Sequence, residues 1–135
     1  MSMNMRLAVK ALILRGNRIL LLQRVKKDEN AKIEWDIPGG GIEVGESFEG
    51  ALKREIFEET KLSVKIRKPL RAWNCIDDKC HLYGVTFVVN YIEGEVCLSD
   101  EHEKFEWVNI DAITKMDVAN WIKDEVAILK EIISG

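Results

Sequence analysis

The chain has 135 residues, 47% of them hydrophobic, and a net charge of −3, which supports one compact domain over 1–135 and is too little for two independent cores. A mildly acidic chain without a lysine or arginine stripe is a poor grip for the backbone of a nucleic-acid duplex, so long polymers are not expected partners. The apolar run from Leu7 to Leu14 is short, interrupted by Lys10 and followed by Arg15, so neither a membrane span nor a signal peptide is expected, and three cysteines without a CxxC pair fit a reducing, cytoplasmic location.

In chain order, Met5 to Leu14 and Arg18 to Arg24 are apolar-rich runs joined by Arg15-Gly16-Asn17, which predicts a strand hairpin. Arg24 and Lys26 close the second run, where they either meet a phosphate or stay in solvent. Lys26 to Lys32 is a charged, mobile loop. Trp35-Asp36-Ile37-Pro38 leads into Gly39-Gly40-Gly41, read as a loop whose missing side chains let a backbone carbonyl approach a metal or a phosphate.

Ser47 to Lys61 follows as a helix, with Ser47 as N-cap, Glu49 in the first turn and good helix formers from Ala51 to Glu55. Wound at about 100° per residue, it puts Phe48, Ala51, Leu52, Ile56 and Leu62 on one core-facing stripe. Glu55 and Glu59 fall in the middle of that stripe, and Glu58 lies on its edge with Arg54 just beyond. A solvated charged face is the ordinary reading of an acidic helix, but inward phasing is incompatible with it, because buried carboxylates stay ionised only when paired or metal-bound. Arg54 can fork onto one carboxylate and share Glu46, yet Glu43, Glu46, Glu49, Glu55, Glu58 and Glu59 outnumber Lys53, Arg54 and Lys61. A divalent cation is the economical counter-ion, and an all-oxygen ligand set suits Mg²⁺ or Mn²⁺ better than Zn²⁺.

Beyond the helix, Leu62 to Cys75 and Lys79 to Tyr91 read as strands, Glu93-Gly94 as a turn into a short strand at Val96 to Leu98, and Phe105 to Ile110 as a further strand. Cys75, Cys80 and His81 have no familiar zinc spacing and read as strand residues. From Val118 to Ile133, Trp121, Ile122, Val126, Leu129 and Ile133 recur at helical spacing, so a terminal helix should pack on the sheet.

The stretch from Gly40 to Leu62 resembles the signature box of the Nudix hydrolases: glycine, five residues, Glu, seven residues, Arg-Glu, an aliphatic, one residue, Glu-Glu, one residue, Gly and an aliphatic. Gly40, Glu46, Arg54, Glu55, Ile56, Glu58, Glu59 and Leu62 match it. Lys61 replaces the family's glycine, where a left-handed helix end would cost a lysine about 1 kcal/mol. The resemblance implies the Nudix fold, a mixed β-sheet between helices in an α/β/α arrangement. It also implies attack of water on a phosphorus of a nucleoside diphosphate linked to another group. By position in the box, Glu55, Glu58 and Glu59 should bind Mg²⁺ (or Mn²⁺) with the Gly40 carbonyl close by, Arg54 should orient the glutamates, and Glu46 should stand behind them.

The general base is a box glutamate or a later one, Glu101 or Glu103, with His102 between them as a proton carrier or a plain loop residue. Trp35, Trp73, Tyr83 and Phe87 either stack a nucleobase or belong to the core. A proline expected downstream in ADP-ribose hydrolases and a tyrosine expected in dinucleoside polyphosphate hydrolases are both off their usual spacing, which favours a nucleoside triphosphate. ADP-ribose, a dinucleoside polyphosphate, and a Nudix-fold module that senses a nucleotide without cleaving it are the alternatives. The expected partner is a small nucleotide or nucleoside diphosphate derivative, and monomer and homodimer both stay open.

Overall fold

Apolar residues fill both faces of the central strands, because the sheet is covered on both sides and successive side chains point to opposite faces. In the computed structural model, which describes residues 4–134, the sheet has seven strands: β1 (Asn4–Arg15), β2 (Arg18–Arg24), β3 (Trp35–Asp36), β4 (Gly39–Gly41), β5 (Ser63–Ile76), β6 (Cys80–Glu93) and β7 (His102–Asn109). Two helices accompany it, α1 (Phe48–Thr60) and α2 (Asn120–Ser134). Val9, Ala11, Ile13, Leu20, Leu22 and Val89 pack with Ala51, Leu52 and Ile56 of α1. The intervening residues Leu12, Ile19, Leu21 and Val88 pack with Ile122, Val126 and Leu129 of α2. The sheet is mixed, with β1 parallel to β6 and β5 antiparallel to it. The expected α/β/α architecture is the observed one.

A split between two strands builds the site. β1 and β2 pair only beside their turn, at Leu14 with Ile19 and Arg15 with Arg18. Farther along, the segment from 35 to 41 enters the gap: β3 pairs with β2 at Leu22 and Gln23, and β4 pairs with β1 from Ala8 to Lys10. Ala11 N–H donates to the Pro38 carbonyl across it, at 2.8 Å. The glycine run is therefore a short strand and not the loop that composition suggests. Glycine is required there by space, since a Cβ on Gly39 would lie 2.1 Å from the Val9 carbonyl oxygen and one on Gly40 2.6 Å from the Glu55 carboxyl group.

The ends of α1 follow from its sequence. Ser47 has extended backbone and its Oγ accepts from Gly50 N–H at 2.9 Å, so the N-cap is as expected. At the other end Lys61 adopts the left-handed conformation, φ 64° and ψ 13°, and its N–H closes on the Phe57 carbonyl. The lysine takes the geometry that glycine would take, and its ammonium lies over the Phe57 ring, 4.9 Å from the centroid.

Three expectations are corrected. Phe48 is half-exposed because the first turn of α1 overhangs a cleft instead of the core. Val96 to Leu98 forms no strand; Cys97 N–H bonds the Thr60 carbonyl, so this segment is tied to the end of α1 and not to the ladder. On α2, Trp121 and Ile133 are exposed, and the buried face carries Glu125 beside Ile122, Val126 and Leu129. Cys75 and Cys80 are strand residues with free thiols, as read from their spacing. No helix among the described residues is long and apolar enough to cross a membrane.

Candidate active site

The inward face of α1 brings its carboxylates to the split. Glu59 is 6% exposed, and Gly39 N–H donates to its Oε1 at 2.8 Å. The other oxygen, Oε2, lies 3.9 Å from Nδ1 of buried His102. Glu55 lies against the bare backbone of Gly40, with Arg54 Nη1 3.1 Å from its Oε1. Arg54 forks onto Glu46, with Nε to Oε2 at 2.7 Å and Nη2 to Oε1 at 2.8 Å, and Nη2 also donates to the Gly41 carbonyl. The guanidinium thus clamps the loop before α1 to the helix. Glu58 is more exposed and approaches the same guanidinium at 3.4 Å.

Neighbouring strands complete the pocket. Lys10, the residue that interrupts the apolar run of β1, donates to Asp36 Oδ2 at 3.1 Å, and Arg24 Nη2 reaches the same oxygen at 2.9 Å. Glu101 precedes β7, and its carbonyl accepts from Val25 N–H. The β2–β7 ladder slips between Gln23 and Arg24, pairing Lys104 with Gln23 but His102 with Arg24. This bulge turns His102 inward and leaves Glu103 outside, where it borders a separate hollow with Gln23, Trp35 and Leu98. Of the two late candidates for a base, only Glu101 reaches the cleft.

The cleft has a volume of about 1040 Å³. Lys10, Arg24, Gly40, Glu55, Glu59, Glu101 and His102 line one part of it, and Leu7, Ala8, Ile42, Phe48 and Trp73 another. The apolar part continues into a hollow of about 330 Å³ bordered by Tyr83 and Gly84. Trp73 lies flat over Gly84, where a Cβ would come within 2.3 Å of the ring, and its Nε1–H donates to Thr86 Oγ1 at 3.0 Å. Of the four aromatic candidates, Trp73 and Tyr83 border this space. Phe87 is buried under α1, and Trp35 packs against the α2-side core. Lys26 borders an adjoining hollow with Lys27 and Lys32.

Electrostatics separates these carboxylates. Burial pushes Glu59 up to about 7, with Glu55 and Glu101 adding to the effect while Gly39 N–H and Lys10 oppose it. Burial also raises Glu55, against the pull of Arg54. The Arg54 hydrogen bonds hold Glu46 at about 2. For Asp36 burial acts upward, but Lys10 and Arg24 together outweigh it and hold the group below its usual range. Burial lowers His102, and Arg24 lowers it further.

Glu55, Glu59 and Glu101 line one cleft in which Lys10 and Arg24 are already paired with Asp36, and His102 Nδ1 is buried without a hydrogen-bond partner. That donor set fits a divalent cation. The grouping differs from the expected one, however. Among the described residues, the close set of potential ligand atoms is Glu59, Glu101 and His102, all within 4.8 Å of one another. Glu58 is turned to Arg54 instead, and Glu55 shares that guanidinium. Lys10 and Asp36 were not singled out in the sequence; the one available signal was a lysine inside an otherwise apolar strand.

Comparison with known proteins gives the family and the fold. The family model described as NUDIX domain matches residues 4–128. An ADP-ribose pyrophosphatase of Methanocaldococcus jannaschii is 33% identical over 121 residues, covering 87% of this chain and 70% of that protein. A putative 8-oxo-dGTP diphosphatase 2 of Mycobacterium tuberculosis is 32% identical over 126 residues, covering 87% and 86%. Among solved structures, a MutT protein from Methanosarcina mazei superposes with a TM-score of 0.83 at 25% identity, covering 97% of each chain.

Proposed function

Since the chain belongs to the Nudix family of hydrolases, which act on phosphoanhydride bonds, we propose that it hydrolyses a small nucleoside diphosphate derivative in a Mg²⁺-dependent reaction, with a nucleoside triphosphate as substrate and pyrophosphate as a product. The observation that carries this reading is the cleft itself, in which an acidic half adjoins an apolar half walled by Trp73, Phe48 and Leu7. A nucleotide has the same two halves, a polyphosphate and a flat base.

Glu55, Glu59 and Glu101 would hold the cation, with Glu58 and the Gly40 backbone at the margin. When bound, the cation offsets the repulsion between carboxylates and polyphosphate and acidifies coordinated water. Arg54 does not touch substrate; tied to Glu46, Glu55 and the Gly41 carbonyl, it fixes where α1 presents its carboxylates. Glu101 would hold the cation through one carboxylate oxygen and accept the proton of the attacking water on the other. The base stacks against Trp73, whose ring is held by Thr86 and the bare backbone of Gly84. Phosphoryl chemistry is mostly positioning and charge neutralisation, which a rigid set of carboxylates supplies.

ADP-ribose is the second reading, because the relative at 33% identity is named an ADP-ribose pyrophosphatase. The test is to incubate the purified protein and its Glu59→Gln variant with Mg²⁺ and a panel of nucleoside triphosphates, ADP-ribose and dinucleoside polyphosphates. Pyrophosphate release from a triphosphate by the unmodified protein alone is the expected result. Turnover of ADP-ribose in place of triphosphates selects the second reading, and nucleotide binding without any turnover overturns the enzyme in favour of a sensing module. With a substrate found, Glu101→Gln should lower turnover and Glu103→Gln should not.

A further inference from the structure

We propose that Glu59, Glu101 and His102 form a mixed nitrogen and oxygen site for a first-row transition-metal dication, with His102 Nδ1 as a direct ligand. The inference rests on reading the cleft as a cation-dependent phosphate site, but it changes the chemistry of that site, because the box alone offers only oxygen.

The His102 side chain is 5% exposed and its Nδ1 has no hydrogen-bond partner. A buried polar atom without a partner is rare and calls for a ligand, an ion or a water. The nearest carboxylate oxygen, Glu59 Oε2, is 3.9 Å away, too far for a hydrogen bond. Two ligands of one ion with bonds of about 2.0–2.2 Å stand roughly 3–4 Å apart, which suits this pair. Gly39 N–H holds Oε1 of Glu59 and opposes a swing that would close the gap. Glu101 supplies the third atom, all three lying within 4.8 Å of one another. The bulge between Gln23 and Arg24 is what aims the imidazole into this position.

A nitrogen donor shifts the preference of a carboxylate site. Mg²⁺ is a hard ion served by oxygen, whereas imidazole favours first-row transition-metal dications over it, Mn²⁺ least and the later ones more. The site should therefore bind Mn²⁺ more tightly than Mg²⁺, by more than an oxygen-only cluster would.

Mn²⁺ is also the probe. The chain has 2 histidines, and His81 on β6 lies outside the cleft lining, so imidazole nitrogen coupled to bound Mn²⁺ identifies His102. Electron spin-echo envelope modulation of the Mn²⁺-loaded, substrate-free protein should show nitrogen modulation, which should vanish in His102→Gln and persist in His81→Gln. Titration by the free-Mn²⁺ signal, with Mg²⁺ competition, should show the Mn²⁺ to Mg²⁺ preference of His102→Gln falling about tenfold or more. Bound Mn²⁺ without nitrogen modulation in the unmodified protein overturns the proposal even if His102→Gln fails to fold, and so does modulation that survives in a folded His102→Gln. Hydrolysis in Mg²⁺ with no nitrogen-coupled Mn²⁺ removes this ligand and leaves the hydrolase intact. Nitrogen-coupled Mn²⁺ without hydrolysis of any nucleotide supports the ligand and removes the hydrolase.

Discussion

Among the described residues two glutamates are buried, one on each side of the sheet, and they are compensated in different ways. Glu125 of α2 is fully buried, and Arg71 of β5 lies beside it, with Nε 3.1 Å from Oε2. Glu59 of α1 is nearly as buried, yet it has no dedicated guanidinium; a backbone N–H holds one oxygen and the other faces His102 across a gap. Arg54, the nearest arginine on its own helix, is committed to Glu46, Glu55 and Glu58. A buried carboxylate with its own arginine is a structural element, and one whose free oxygen faces a cleft is available for chemistry. Burial alone does not distinguish them; the partner does.

Neutralising Glu59 by substitution is the sharpest break of this comparison. Glu59→Gln should lower kcat on the identified substrate by about a hundredfold or more, whereas Glu125→Gln should leave kcat within a fewfold at 20 °C. Comparable losses in the two variants would abolish the distinction. On stability the order reverses. Arg71→Met strands Glu125 without its partner and should cost about 3 kcal/mol, the lower end for a buried pair because Arg71 is partly exposed. In thermal denaturation that is a fall of roughly 10 °C for a chain of this size.

Burial raises both carboxylates, Glu125 against the pull of Thr86 and Arg71, and pH gives a direct test of the one at the cleft. Glu59 sits at about 7 in the folded, metal-free protein and near 4.3 when unfolded. Between those values the folded state holds the extra proton, so stability falls as pH rises through this window and levels off above it. The upper bound is about 4 kcal/mol. In EDTA, the unmodified protein should lose stability between pH 5 and 8 relative to Glu59→Gln, and added Mn²⁺ should restore it. A flat difference between the two would mean that Glu59 titrates normally. The smallest effect concerns the end of α1. Lys61→Gly relieves the left-handed lysine and should raise stability by about 0.5–1 kcal/mol, reduced by loss of the contact with Phe57, with activity unchanged. A lower melting temperature would show that Lys61 is not strained.

Much of this was legible in the sequence where local periodicity decides the outcome. The phase of α1 placed Glu59 inward and Glu58 at the edge, and Ser47 marked the helix start, because capping and the helical repeat act over a few residues. Phe48 escaped the same rule, since a residue in the first turn is buried only if something lies beneath it, and here there is a cleft. The glycine run reads as a loop by composition, because glycine disfavours strands in general. The close approach of Gly39 to β1 and of Gly40 to Glu55 on α1 is a tertiary demand that outweighs that preference. Glu101, Glu103 and His102 could be grouped by sequence but not sorted, because a bulge in the ladder to β2 decides which of them turns inward. Lys10, Asp36 and Arg24 meet across separate strands, and no local pattern brings them together.

The bond from Gly39 N–H to Glu59 has a thermodynamic consequence. A glutamate free to rotate would lose its rotamer entropy each time an ion or a phosphate arrived, at a cost of up to roughly 1.5–2 kcal/mol per encounter. Because the backbone of β4 holds one oxygen already, that entropy is lost once, when the chain folds, and each later binding event meets a carboxylate that is already aimed.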